Sequence, residues 1–163
     1  MKTQDFDYEV RLATVDVVDG IVATALEFWF ESGHAANDSQ DADAYKKFLT
    51  ENMINRDGVR VIIAEVDGKI VAYHIVYVMA DYKSKPDGEM YQFFVHPDYR
   101  GTPIARDLVE MAVQHWDDWG CDVAYAIASP EVGNVELSLF RNLFAKFGFK
   151  ETGIVMTRRK GDQ

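Results

Sequence analysis

Three strand patterns follow one another along the chain before a helix pattern leads to a further strand. The strands cover residues 59–66, 69–80 and 89–95, the helix covers 103–119, and the next strand covers 121–128. Strands joined by short turns pair antiparallel, whereas a strand–helix–strand unit pairs in parallel. The order therefore predicts an α+β fold, in which a mixed, mostly antiparallel sheet has helices on both faces and one parallel pair.

The remaining patterns are consistent with a single domain over residues 1–163. Asp67-Gly68 predicts a tight hairpin between the first two of these strands, because both residue types accept positive φ. No repeat, low-complexity stretch or Pro/Gly/Ser-rich linker divides the chain. The other elements expected, in chain order, are a strand at 8–13, helices from about 14, 42 and 134, and a strand at 149–158.

Composition restricts the classes of function. The chain has 17 Lys+Arg against 27 Asp+Glu, a net charge of −10, which disfavours binding to nucleic acid or to anionic lipid. Such a charge attracts cationic amines, although an acidic surface also serves solubility alone. Cys121 is the only cysteine, and no histidine pair has the spacing of a metal site, so no metal is expected. A polar start and the lack of a long apolar run predict a cytoplasmic protein.

The most informative stretch runs from Phe93 to Ala105 and reads FFVHPDYRGTPIA. It places a strand end, a basic turn and a helix start in direct succession. Unpaired N–H groups and the positive end of the dipole make the start of a helix a site for anions. Arg100 adds a cation at the same place, so the stretch predicts a diphosphate site. A mononucleotide or phosphopeptide module is the less favoured reading of this turn.

This stretch resembles the coenzyme-binding motif of the GNAT acyltransferase superfamily. In that family a strand that ends in V-x-P-x-Y-R-G-x-G-x-G/A binds the pyrophosphate of acetyl-coenzyme A. The element order and the later Gly148-Phe149 pair extend the resemblance over nearly the whole chain. It implies a sheet of six to seven strands and an N-acetyltransferase in which a primary amine, on a small molecule or a protein, attacks acetyl-coenzyme A directly. The matching residues are Val95, Pro97, Tyr99, Arg100, Gly101, Ile104 and Ala105.

The resemblance also implies roles for particular residues in coenzyme binding. Backbone N–H groups near Phe94 and Val95 would hold the pantetheine arm and polarise the thioester carbonyl. Asn134 would bond the pantetheine amide, although a helix N-cap is its other reading, and packing in the core is the other reading of Phe94 and Val95. The residues expected around the diphosphate are Arg100, Gly101, Thr102, Pro103, Ile104, Ala105 and Arg106.

Two residues depart from the family's pattern. Pro103 replaces a usual glycine and removes one backbone donor, but proline suits the first position of a helix capped by Thr102, so binding should survive. Phe144 stands where the family often has a tyrosine that protonates the departing thiolate. That proton must then come from water or another residue, or the thiolate must leave unassisted. A non-catalytic acyl-coenzyme A binder or assembly protein is therefore the alternative.

Glu89 is the candidate catalytic base. An alkyl amine has a pKa of about 10 and must lose a proton before it attacks. Glu89 lies six residues before Val95, a position that resembles that of the glutamate used by some members of the family. Its pKa would be about 4.3 if unperturbed, so burial or a water relay must assist, and a solvated residue at a strand start is the other reading. Glu31 and Asp38 are candidates to receive an ammonium group. A homodimer, common in this family, is left open.

Overall fold

The computed structural model describes residues 7–32, 41–80, 84–127 and 137–153. In these ranges five strands form one sheet in sequence order, β1 to β5. Each of the first four strands pairs antiparallel with the next, and the fourth and fifth, separated in sequence by the helix at residues 104–118, pair in parallel. The strands are β1 (Glu9–Leu12), β2 (Val59–Val66), β3 (Lys69–Met79), β4 (Asp87–Val95) and β5 (Val123–Tyr125). The helices are α1 (Val18–Ser32), α2 (Ala42–Phe48), α3 (Ile104–Asp118) and α4 (Leu137–Ala145).

The mixed sheet and its parallel pair confirm the fold expected from the order of the patterns. The hairpin between β2 and β3 turns at Asp67 and Gly68, with φ of 49° and 77°. Of the strand expected at 149–158, residues 149–153 are described and are not in a strand, and the rest lies outside the described residues.

Helices cover both faces of the sheet, and each face has its own apolar core. Trp29 of α1 packs with Tyr73 and Phe94 on one face. Leu108 of α3 packs with Val76 and with Phe144 of α4 on the other face. Because β3 contributes buried residues to both cores, its sequence is apolar almost throughout, as a strand covered on both sides requires. β4, too, contributes buried residues to both cores, and residues 96–103 form the turn that leads from β4 to α3.

The start of α3 differs from the expected helix. Pro103 occupies the N-cap position, and no side chain caps the helix. The expectation that Thr102 caps α3 is wrong, because its hydroxyl donates to the Tyr99 carbonyl at 2.6 Å and tightens the preceding turn instead. The first N–H groups of α3 are consequently left without a side-chain acceptor from the cap residue.

None of the helices in the described ranges combines the length and the apolar composition that a membrane span requires.

Candidate functional site

Strands β4 and β5 pair over three residues and then separate. Asp87 to Glu89 lie beside Val123 to Tyr125, and no further pair follows in the described chain. The register with β3 also shifts within β4, leaving Tyr91 as an extra residue between the pairs that Met90 and Gln92 form with β3. Such a bulge bends a strand and locally disrupts the ladder. From Met90 to Val95, β4 thus has an edge that no strand of the described ranges pairs with, and we call it the open edge.

The register of β4 decides which N–H groups point to the open edge. The His96 N–H donates to the Val71 carbonyl of β3 at 2.9 Å. Because consecutive residues of an antiparallel strand alternate in direction, the N–H of Phe94 also points to β3, and those of Phe93 and Val95 point to the open edge. The expectation that Phe94 supplies an edge donor is therefore corrected. Its ring packs in the core, and Phe93 takes its place at the edge.

The turn after β4 leaves a group of N–H donors at the start of α3. Gly101 has φ of 79°, a conformation that favours glycine, and the space around it is open. The Thr102 N–H is used within the turn, since it donates to the Tyr99 carbonyl at 3.4 Å. Pro103 has no N–H. Within the described chain the donors left without an acceptor are those of Gly101, Ile104, Ala105 and Arg106.

Both arginines lie where the diphosphate was expected, but both are paired with carboxylates. Arg100 donates to the two oxygens of Glu31 at 2.6 Å each, and its Nε donates to the Val95 carbonyl at 3.0 Å. Arg106 donates to Asp107 at 2.6 and 2.8 Å, and this carboxylate raises the pKa of Arg106. Positive potential at the turn thus comes chiefly from the helix dipole and its free N–H groups rather than from an unpaired guanidinium.

Glu89 lies in β4 opposite Tyr77 of β3, on the sheet face that carries α1 and α2. It is half-buried, and β4 begins two residues earlier, so Glu89 is part of the strand rather than of a solvated turn. Burial and then a hydrogen bond with Glu89 raise the pKa of Tyr77 to about 12. Exposed Tyr91 has its ring centroid 6.4 Å from Tyr77 and 5.9 Å from Phe48. A carboxylate beside these aromatic rings can attract a cation.

The sequence analysis missed a second polar contact on this face. The Tyr45 hydroxyl donates to Oε1 of Gln92, and burial raises the pKa of Tyr45. Gln92 is half-buried, and its Nε2 donors have no partner in the described ranges. The nearby Tyr73 hydroxyl is buried beside Tyr45 without a hydrogen bond of normal geometry in the described ranges, and burial raises its pKa. A glutamine among the apolar residues of β4 was the only sequence signal for this contact, and nothing in the pattern indicated Tyr45 as its partner.

Phe144 lies in the second core, near the open edge. Its ring is 2% exposed, stacks on Phe140 at 4.2 Å and meets Phe93 edge-on at 5.8 Å. His74 is fully buried beside it, where burial lowers its pKa to about 4, and Nδ1 lies 3.5 Å from the Leu108 carbonyl. His74 is thus a neutral core histidine, and neither ring offers an acidic proton at neutral pH.

Two expected site residues, Asn134 and Asp38, lie outside the described residues. Glu31 is described, and its carboxylate is occupied by Arg100. Across the described ranges no cluster of three or more His, Cys, Asp or Glu side chains is arranged to hold a metal ion.

Comparisons with known proteins agree on one family. A model of the Acetyltransferase (GNAT) family matches residues 22–149. An uncharacterized N-acetyltransferase from Archaeoglobus fulgidus is 30% identical over 114 residues, which cover 66% of this chain and 72% of that protein. An aminoglycoside N(6')-acetyltransferase from Stenotrophomonas maltophilia is 31% identical over 86 residues, 50% of this chain and 56% of that protein.

Solved structures agree on the fold. An aminoglycoside N-acetyltransferase in complex with CoA superposes with a TM-score of 0.76 and covers 99% of this chain and 100% of its own, at 19% sequence identity.

Proposed function

The chain belongs to the acetyltransferase (GNAT) family and is an N-acetyltransferase, and we propose that acetyl-coenzyme A is its donor and a small-molecule primary amine its acceptor. One observation carries the choice of donor: the open edge of β4 leads directly into the N–H donors at the start of α3. An elongated ligand with an amide-bearing arm and a diphosphate matches this sequence of donors. The aminoglycoside N-acetyltransferase that shares this fold is in complex with CoA, which supports the same choice of donor.

In this proposal the diphosphate binds to backbone groups. The free N–H groups of Gly101, Ile104, Ala105 and Arg106 would donate to its oxygens, and the dipole of the 15-residue helix α3 favours the negative charge. Thr102 and Pro103 shape the turn, since neither has a free N–H. The role of Asn134 as a contact of the pantetheine amide stays a prediction.

The pantetheine arm would run along the open edge. The N–H groups of Phe93 and Val95 point there, and one of them can donate to the thioester oxygen as negative charge develops on it. Arg100 already occupies the Val95 carbonyl, so at that residue the edge offers only the donor.

Glu89 is the proposed base. It would take a proton from the ammonium group, directly or through water, and the neutral amine would attack the carbonyl carbon of the thioester. The C–N bond forms, the C–S bond breaks and the thiolate of coenzyme A leaves, while the attacking nitrogen loses its second proton to water. A thiol pKa of about 8.5 makes it a tolerable leaving group, so the thiolate can take its proton from water after it departs. Phe144 supplies no proton.

The acceptor side supports a small cationic amine. Glu89 lies beside Tyr77 and Tyr91, and the free Nε2 of Gln92 is on the same face, so a ligand with an ammonium group and a nearby oxygen finds both partners. The aminoglycoside N-acetyltransferases among the relatives support the same class of acceptor. Because the buried ring of Phe144 has no acidic proton to give, an acyl-coenzyme A binder without turnover is the alternative function.

A thiol-release assay tests the function. The purified protein is incubated with acetyl-coenzyme A and, in turn, aminoglycosides, polyamines, amino acids and a lysine peptide, while coenzyme binding is followed by thermal shift. We expect release of free thiol with at least one small amine. Thermal stabilisation without thiol release for any amine supports the non-catalytic alternative, and release with the lysine peptide alone would move the acceptor to a protein amine. No stabilisation by saturating acetyl-coenzyme A contradicts both functions.

A further inference from the structure

Two carboxylates of helix α1, four residues apart, contact the turn of residues 96–103, which leads from β4 to α3 and is proposed to bind the coenzyme. Glu27 Oε2 lies 3.2 Å from Nε2 of His96, and both oxygens of Glu31 accept from Arg100 at 2.6 Å. Residues i and i+4 share one face of a helix, so α1 presents two acids to the two basic residues of the turn. Between them Phe28 packs on Phe94 at 5.1 Å. The end of α1 is therefore fixed to the junction of β4 and α3.

The guanidinium of Arg100 joins three parts of the molecule. Its two terminal nitrogens donate to Glu31 of α1, and its Nε donates to the Val95 carbonyl at the end of the open edge. Its Cζ lies 5.8 Å from the ring centre of Phe94. A planar group with a fixed fork of donors suits such a bridge better than a point charge does. About a third of each side chain of this pair is exposed, so the pair is partly shielded from water.

We propose that Glu31 is a positioning residue, which aims Arg100 at the Val95 carbonyl and so fixes the end of the open edge and the turn that receives the diphosphate. This inference rests on the proposed function, because it concerns the same coenzyme site. It gives Arg100 the role of a bridge in place of a phosphate cation. The diphosphate then depends on the backbone N–H groups, whose directions the bridge holds.

The two roles of Arg100 predict opposite effects of removing the Glu31 charge. If Arg100 is a phosphate cation, Glu31 competes with the diphosphate and adds repulsion, so Glu31→Gln should tighten coenzyme binding. If Glu31 positions Arg100, Glu31→Gln should weaken binding, although it removes a negative charge from beside an anion site. Simple electrostatics therefore cannot produce the result that the positioning role predicts.

Arg100→Lys gives a second, independent distinction. Lysine keeps the charge but cannot reach the Val95 carbonyl and both Glu31 oxygens at once. If Arg100 is a phosphate cation, Arg100→Lys should keep most of the affinity for coenzyme A. If Arg100 is a bridge, Arg100→Lys should weaken coenzyme A binding as much as Arg100→Gln does. The double variant Glu31→Gln/Arg100→Gln should then bind coenzyme A only slightly more weakly than either single variant.

The experiment measures the Kd of coenzyme A by calorimetry, first for the unaltered protein and then for each variant. We expect Kd to rise about 10-fold in Glu31→Gln and by a similar factor in Arg100→Lys, as the loss of a charged hydrogen bond implies. Glu27→Gln is the matched control. It removes the same charge from the same helix beside the same turn but leaves the bridge to Val95 intact, and its Kd should stay within about twofold.

Thermal melting of the ligand-free variants separates positioning from folding, since a loss of affinity at unchanged Tm is not a loss of structure. Tighter or unchanged binding in Glu31→Gln, or wild-type affinity in Arg100→Lys, overturns the inference and leaves the proposed function intact. If the unaltered protein does not bind coenzyme A, the proposed function fails and this inference fails with it.

Discussion

The proposed coenzyme side and the proposed acceptor side of this site consist of different chemical groups. Around residues 93–106 the groups proposed to meet the ligand are backbone N–H groups, positioned by a strand end, a glycine turn and a helix start. Around Glu89 they are side chains from α2, β3 and β4. A backbone site depends on a short local sequence, whereas a side-chain site depends on which distant residues the fold brings together. The first can therefore be predicted from a motif, and the second cannot.

The largest expected effect is on the acceptor side. Glu89→Gln should lower kcat about 100-fold near neutral pH, because the amine then loses its proton without the proposed base. The Kd of coenzyme A should not change, since Glu89 is not part of the turn. The defect should narrow as the pH approaches about 10, where the free amine is already neutral. The check is the pH profile of thiol release for both proteins. If the variant is as fast as the unaltered protein at neutral as well as at alkaline pH, Glu89 is excluded as the base.

On the coenzyme side the matching change is Gly101→Ala. A side chain disfavours the left-handed conformation at φ of 79°, so the turn should move and its N–H groups should lose their direction. We expect coenzyme A to bind about 30-fold more weakly. Gly120→Ala is the control, because Gly120 has φ of 74° in equally open space at the far end of α3, about 22 Å away. Equal loss of affinity in the two variants would show that general destabilisation is the cause.

Much of the fold follows from local signals, and the expectations that were wrong concern the register with a neighbouring strand and a competing hydrogen bond within one turn. The hairpin at Asp67-Gly68 and the single parallel pair in the described chain needed only turn chemistry and element order. The direction of the Phe94 N–H depends on the register with β3, which the composition of β4 does not reveal. Thr102 fits the usual preference for an N-cap, but its hydroxyl finds the Tyr99 carbonyl one turn back.

The side-chain contacts of the site could not be predicted from the sequence, because they join residues that are far apart in it. Glu31 and Arg100 are 69 residues apart, and Tyr45 and Gln92 are 47 apart. Arg100 was assigned to the diphosphate because its place in the motif is visible, while its partner on α1 is not. In contrast, the absence of an acidic proton at Phe144 is a property of one residue, so the sequence alone predicted it.

A smaller effect is expected on the KM of the acceptor, without a change in the Kd of coenzyme A. Tyr45→Phe removes the hydrogen bond that orients Gln92, so the KM of an oxygen-bearing amine should rise about fivefold, the value of one hydrogen bond. The Kd of coenzyme A should stay the same. Tyr73→Phe is the matched control, because it removes a neighbouring buried hydroxyl that makes no hydrogen bond to Gln92 within the described ranges. It should leave KM unchanged and should not lower the Tm. A higher KM in both variants would argue against a specific role of Gln92.

The smallest effect on turnover is expected at Phe144. Phe144→Tyr places a hydroxyl in an aromatic core next to Phe140 and Phe93, where burial without a partner costs about 1–3 kcal/mol of stability. If the thiolate leaves without an acid, kcat should change less than about twofold. Steady-state kinetics and thermal melting give both numbers. A large gain in kcat would mean that protonation of the thiolate limits the natural enzyme.

The most direct test of a backbone-built coenzyme site is a titration of the 15N-labelled protein with coenzyme A, followed by amide chemical shifts. The account predicts that the largest shifts belong to the amides of the open edge and the helix start, with downfield proton shifts as new hydrogen bonds form. The amides in question are Phe93, Val95, Gly101, Ile104, Ala105 and Arg106. Saturation with coenzyme A that leaves these amides unmoved, or shifts others in their place, would contradict the account.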